Sequence, residues 1–246
     1  MLNNKTIGII GAMDVEVKTL KNAIEALTTE KTAGIEFYSG KINGTDVVVA
    51  ECGIGKVHAA MCTQIMADKY NVGAIINTGI GGGIGDGLHV GDLVIADGLV
   101  QHDFDVSPFG YAKGYMFRGD KDKPTVYNTD KELNALVLKA AQAHISPEKL
   151  KSGIIATGDI FVADREKKTE IRDRFNALVT EMEGGAIAQT AAENNIPFTV
   201  VRAISDLADG EGCETYEVFE EETARLSAKI IESSCAISSA LGSLPF

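Results

Sequence analysis

The sequence predicts a three-layer α/β/α fold built around a central, mixed, twisted sheet. Three observations lead there. Segments rich in Val and Ile alternate with segments whose apolar residues recur at helical spacing. Several of the strand segments are apolar throughout, the pattern of a sheet covered on both faces. One pair of strands flanks the turn signal Asn43-Gly44, which adds an antiparallel hairpin to an otherwise parallel arrangement.

The elements follow in order. Thr6 to Gly11 reads as a buried strand, and Met13, Val17, Leu20, Ile24 and Leu27 place a helix over 13–27. Ile35–Ile42 and Thr45–Cys52 form the hairpin, and a helix over 55–70 follows. Val72–Asn77, Leu93–Val100 and Gly153–Ala156 are apolar strands. Helices are predicted over 130–145, 165–175, 183–195 and 216–240. Phe198–Ile204 is a further buried strand, with Pro197 at its start, where a missing N–H is tolerated. No repeat, low-complexity tract or linker interrupts the pattern, so one domain over 1–246 is expected.

Composition narrows the function. The 246 residues include 35 Asp or Glu, 23 Lys or Arg and 4 His, a formal net charge of −12. That balance argues against nucleic acid or an anionic membrane as partner, since both are bound by clustered cations. No apolar run reaches the length of a membrane span, and the first residues give no expectation of a secretory leader. Cys52, Cys62, Cys213 and Cys235 are far apart and form no C-x-x-C pair. Reduced, buried thiols in a cytoplasmic protein are expected, and neither a disulfide framework nor a zinc site.

Two glycine-rich stretches resemble phosphate binders and fail on detail. Gly79–Gly87 reads GIGGGIGDG, but no register fits G-x-G-x-x-G, because Ile84, Asp86 and Leu88 stand where the last glycine is needed. Cys52-Gly-Ile-Gly-Lys56 lacks the first glycine of a phosphate loop, with Ala50 there, and has Val57 in place of the magnesium-binding hydroxyl. A strand-to-helix turn is the simpler reading. The cluster at Gly79 still suggests a ligand against bare backbone at a strand's carboxyl end. His102-Asp103-Phe104-Asp105 lacks a distal ligand cluster, so no metal is expected there.

Three carboxylates stand where strands end or helices begin. Glu16 lies in the first turn of the first helix, Glu183 opens another, and Asp206 follows the strand ending at Ile204-Ser205. Each has an ordinary explanation as a cap or a partner of the helix dipole.

The sequence around them is more specific. IGIIGAMDVEV (7–17), CGIGKVHAA (52–60), INTGIGGG (76–83), VGDLVIAD (90–97), HDFDVSPFGY (102–111), TGDIFV (157–162), EMEGGAIA (181–188) and VRAISDLAD (201–209) occur together in this order. This set resembles the 5′-methylthioadenosine/S-adenosylhomocysteine nucleosidase family within the nucleoside phosphorylase superfamily, over about residues 6 to 240. The resemblance implies hydrolysis of the N-glycosidic bond of an adenine thioribonucleoside, in methionine salvage, with water as co-substrate and no cofactor. It implies that Asp206 hands a proton to the adenine, that Glu16 deprotonates water, that Glu183 grips the ribose hydroxyls and that Arg202 orients water and carboxylates. It further assigns Met13, Gly81, Glu181 and Met182 to the substrate pocket, Ser205 to the support of Asp206, Phe161 to stacking on adenine and the Val162 backbone to its edge. Ile54 and Tyr216 would flank the alkylthio group. Val106, Phe109 and Tyr111 match a segment that family members insert into a neighbouring subunit's pocket, which implies a homodimer.

One residue departs from the pattern. Ile80 stands where the family usually has a serine beside the attacking water, and its side chain neither donates nor accepts a hydrogen bond. Three alternatives remain on the same fold. A purine nucleoside phosphorylase would need a phosphate pocket, yet no arginine precedes Arg118, and Glu16 stands where such enzymes carry an arginine-bearing loop. A futalosine hydrolase would differ mainly in the base and the 5′ substituent. A non-catalytic nucleoside-binding protein would be expected to have lost a catalytic carboxylate.

Overall fold

The computed structural model describes the backbone of residues 6–209 and 212–241, and the side chains of 6–209 and 221–240. The chain runs β1 (Ile7–Gly11), α1 (Asp14–Asn22), β2 (Glu25–Thr32), β3 (Ile35–Ile42), β4 (Thr45–Glu51) and α2 (Lys56–Tyr70). It continues through β5 (Ala74–Gly83), β6 (Leu93–Gln101), β7 (Tyr127–Asn128), α3 (Lys131–Ala141), β8 (Leu150–Thr157) and α4 (Arg165–Phe175). The remainder is β9 (Ala177–Glu181), α5 (Gly184–Glu193), β10 (Phe198–Asp206) and α6 (Gly212–Leu241).

All ten strands of the described residues join one mixed sheet in the order β10-β6-β8-β9-β5-β1-β4-β3-β2, with β7 on β6. Strand β1 lies parallel to both β4 and β5, and β10 is parallel to β5. The β2–β3–β4 meander and the β10–β6 and β5–β9 pairs are antiparallel. Because β10 pairs with both β6 and β5, the sheet also curls back on itself, and β10, β6, β8, β9 and β5 form a closed ring. One core packs α2 and α5 against the sheet, and a second packs α1, α3 and α6 on its other side.

Three expectations from the sequence need correction. The first helix stops at Asn22 and not Leu27, and residues 25–32 form β2. The apolar spacing through Ile24 and Leu27 was compatible with a helix. The run holds the β-branched Thr28, Thr29 and Thr32, which favour a strand, and the hairpin turn Ala33-Gly34 has φ of +51° and +86°. Strand β2 is an exposed edge, so no alternation of buried residues marks it. The strand placed at 72–77 continues through the glycines to Gly83. These glycines lie inside the sheet: a Cβ at Gly81 would stand 2.7 Å from Val179 Cγ1 and 3.0 Å from the Thr180 carbonyl oxygen. Strand β9 was missed altogether. It is five residues long and enters directly from the αL residue Asn176.

Candidate active site

The carboxyl ends of β1, β5, β9 and β10 converge on a single cavity of about 270 Å³, near the lower bound of ~300–1,000 Å³ for small-molecule sites. Carboxyl ends of strands are where open α/β sheets bind ligands. Ala12, Met13 and Glu16 come from the β1–α1 junction, Ile80–Gly82 from β5, Thr180–Glu183 from β9 and the start of α5, and Ser205–Asp206 from the end of β10. Ile54 from the β4–α2 loop and Ile160–Val162 from the β8–α4 loop complete the wall.

Glu16 is buried at the third position of α1. Its Oε2 accepts from the backbone N–H of Ala12 at 2.6 Å and of Met13 at 3.1 Å, and its Oε1 accepts from the Ile80 N–H at 3.1 Å. Burial pushes its pKa above the ordinary glutamate value, while Arg202 and the three N–H donors pull the other way. Gly79 makes room for this arrangement, since a Cβ there would lie 2.5 Å from Glu16 Oε1.

Asp206 is buried at the end of β10. Ser205 Oγ donates to Asp206 Oδ2 at 2.9 Å, and the Ala208 N–H donates to Oδ1 at 2.9 Å. Burial outweighs both bonds and raises its pKa. Glu183 accepts from the Gly55 N–H at 2.8 Å. Burial, reinforced by the negative charge of Glu181, pushes Glu183 up to about 8.

Arg202 does not line the cavity; it lies behind it, 1% exposed. Its Nη2 donates to Asn77 Oδ1 at 2.6 Å and to Glu181, and it stands 4.0 Å from a Glu183 oxygen. Burial opposes its charge, but Glu181, Glu16 and Glu183 together raise its pKa. Glu181 faces the cavity with its carboxylate engaged: it takes bonds from Arg202, from Thr157 Oγ1 and from the Gly184 N–H at 2.7 Å.

The structure thus gathers Met13, Glu16, Ile54, Ile80, Gly81, Phe161, Val162, Glu181, Met182, Glu183, Ser205 and Asp206 into one cavity. Val106, Phe109 and Tyr111, expected to enter a neighbouring subunit's pocket, do not line this chain's own; Phe109 is 80% exposed on a separate turn. The side chain of Tyr216 lies outside the described residues. Sequence reasoning missed Ala12, Gly82, Ile160 and Thr180. Ala12, Gly82 and Ile160 lie inside quoted motifs, and Thr180 adjoins one, but nothing in their chemistry singled them out.

The curled mixed sheet with a carboxylate-lined cavity at its strand ends is the architecture of one broad class. A family model described as the phosphorylase superfamily matches residues 6–236. Within that superfamily, the chain belongs to the 5′-methylthioadenosine/S-adenosylhomocysteine nucleosidase family. It is 40% identical to the nucleosidase of that name from Staphylococcus aureus over 227 residues, 92% of this chain and 97% of that protein. It superposes on the nucleosidase from S. pneumoniae solved with the transition-state inhibitor MT-ImmA, with a TM-score of 0.86, 38% identity and coverage of 94% and 98% of the two chains. A Helicobacter pylori protein described as a futalosine hydrolase also superposes, with a TM-score of 0.86, 33% identity and coverage of 94% and 97%.

Proposed function

We propose that this protein hydrolyses the N-glycosidic bond of 5′-methylthioadenosine and S-adenosylhomocysteine and releases adenine. One observation carries the choice of water over phosphate. The described cavity wall holds four carboxylates, Glu16, Glu181, Glu183 and Asp206, and no Lys, Arg or His. A wall without a cation offers a phosphate dianion no charged partner and suits a neutral nucleophile.

The geometry and the family support the following roles. Adenine stacks on Phe161, and Asp206, whose protonated form burial favours, donates to the leaving base. Glu16 accepts a proton from the attacking water. Glu183 grips the ribose hydroxyls while Met182 packs on the sugar. Arg202 acts from behind, by fixing Glu181 and neutralising its charge. The bond from C1′ to the base breaks with its electron pair on adenine, the water oxygen bonds to C1′, and the products are adenine and the free thiosugar. Ile80 contributes its N–H to Glu16 and an apolar side chain to the wall, so water placement rests on Glu16 and backbone groups.

A homodimer is supported by exposed apolar residues: Ile54, Val57, Phe109, Phe117 and Phe161 are 47–80% exposed. Cys52, Cys62 and Cys235 are buried and unpaired, in keeping with a reducing, cytoplasmic setting. Among the described residues no helix is long and apolar enough to cross a membrane.

The test offers methylthioadenosine, adenosylhomocysteine, futalosine and inosine, each with and without phosphate, and follows free base and sugar by chromatography. Adenine released at the same rate in both conditions is expected. A phosphate requirement, or a sugar 1-phosphate as product, overturns the hydrolytic reading. Faster turnover of futalosine than of either adenine nucleoside favours the futalosine reading.

A further inference from the structure

Lys56 belongs to no part of the chemistry described so far. It opens helix α2, where a cation is disfavoured by the positive end of the helix dipole. The preceding cap residue, Gly55, has φ of +97° and no side chain to satisfy the first N–H groups. The cap comes instead from another loop: Asp159 Oδ1 accepts from the Lys56 N–H at 2.8 Å. The Asp159 N–H in turn donates to Asp103 Oδ2 at 2.9 Å. Lys56 Nζ closes the circuit, donating to Asp103 Oδ1 at 2.7 Å and to Gln101 Oε1 at 3.3 Å. Both charged side chains are more than four-fifths buried, so the pair is less screened than a surface one.

We propose that Lys56 is a positioning residue for catalysis, which with Asp103 and Asp159 braces the three loops that shape the substrate pocket. The proposal rests on the nucleosidase reading and goes beyond it. The first loop, 52–55, carries Ile54 and the Gly55 N–H that holds Glu183 at 2.8 Å. The second, after β8, carries Asp159 and then the cavity residues Ile160, Phe161 and Val162. The third leaves β6 through Gln101 and Asp103 and leads into the 106–111 segment. Each loop would otherwise adjust separately. The ring of hydrogen bonds makes their positions one variable, so the base-stacking wall and the ribose grip are set together. It also gives Lys56 a structural partner set that leaves no free ammonium for a phosphate.

The brace predicts a particular kinetic pattern. Loosening it misplaces walls that bind substrate and leaves Glu16 on α1 and Asp206 on β10 in place. Lys56→Met in the full-length protein should raise KM for methylthioadenosine by about ten-fold while kcat falls by less than about three-fold, since sub-ångström misplacement acts through binding geometry. The pH profile of kcat should keep its shape. Asp103→Asn should give the same pattern. The double variant should be no worse than either single one, because partners in one network are not additive. Lys56→Arg, which keeps the charge, should recover part of the loss.

Unchanged KM in Lys56→Met, or losses that multiply in the double variant, overturns the proposal. So does a fall in melting temperature with no change in the ratio of KM to kcat. If Lys56→Met does not fold, Asp103→Asn and Asp159→Asn carry the same comparison. Adenine affinity by calorimetry is read in parallel. If the parent protein releases no adenine from either nucleoside, the nucleosidase reading fails. The brace is then judged by adenine binding alone, where unchanged affinity in all variants overturns it.

Discussion

Gly79→Ala should disable the enzyme through a carboxylate that the substitution never replaces. A Cβ on residue 79 would stand 2.5 Å from Glu16 Oε1, 3.0 Å from its Cδ and 3.4 Å from Arg202 Nη1. Contacts this short are not tolerated, so something moves. Strand β5 cannot yield easily, since Gly79 pairs with Arg202 on β10 and the strand is also bonded to β1. Glu16 is not the free end of a flexible chain either, because three N–H donors hold it. Relief to an ordinary contact of about 3.4 Å requires a shift of about 0.9 Å, shared chiefly by the Glu16 carboxylate. The Ile80 N–H bond to Oε1 is the first to be lost.

A displacement near 1 Å of a reacting group costs on the order of 10²-fold in rate. Loss of one buried hydrogen bond to a charged group costs about 1.5–3 kcal/mol of stability, or on the order of 5 °C in melting temperature for a chain of this size. Gly79→Ala should therefore lower kcat about 10²-fold, with the affinity for adenine nearly unchanged, because Phe161 and Asp206 stand elsewhere on the wall. Adenine release by chromatography gives kcat, calorimetry gives the binding constant and a thermal melt gives the stability. A folded variant whose kcat stays within about three-fold of the parent refutes the reasoning. Either Glu16 would not be the base, or its position would not be critical.

Three further outcomes are expected. Asp206→Asn should lower kcat by about 10²–10⁴ and still bind adenine, and a near-normal kcat removes Asp206 as the acid. In the parent, the raised pKa of Asp206 keeps its proton to higher pH, so kcat should fall on the alkaline side as that proton leaves, and the fall should vanish in Asp206→Asn. Glu183, raised from 4.5 to about 8, contributes stability that is fully present below about pH 4.5 and lost as pH rises through about 8. Glu183→Gln should therefore gain on the parent with rising pH, by at most ~1.4 kcal/mol per unit. Melting temperatures from pH 5 to 9 that run parallel contradict this. Ile80→Ser restores a hydroxyl beside Glu16 and should raise kcat a few-fold; an unchanged kcat means that Glu16 and the backbone already hold the water.

The residues that line the cavity were more legible in the sequence than the strand boundaries were. The three carboxylates and most wall residues were legible because they sit in contiguous motifs, each at a strand end. The reach of β5 was not legible. Glycines after Asn77 carry no strand propensity, and only the approach of β10 on one side and Val179 on the other shows that Gly81 completes a sheet. Strand β2 was hidden for the opposite reason: its residues face water on both sides, so the period-two signal was missing. Arg202 was expected to orient water and carboxylates, and sequence spacing cannot separate a side chain that lines a cavity from one that lies behind it. The bonds to Asn77 and Glu181 make that distinction.

Four carboxyl groups around one guanidinium raise the question of which are ionised. Glu181 pairs with Arg202 and the two charges cancel locally. Burial raises the pKa of each of the other three, and hydrogen bonds oppose it in each. Glu16 receives three N–H donors and also feels Arg202. Glu183 receives one N–H and faces the charge of Glu181. Asp206 receives one N–H and one hydroxyl. More donors oppose burial more strongly at Glu16, which suits the base's role proposed for it, while fewer oppose it at Asp206, the proposed acid. On the proposed roles the base is the carboxylate with the most backbone N–H donors, and the glycine at 79 is what leaves room for it.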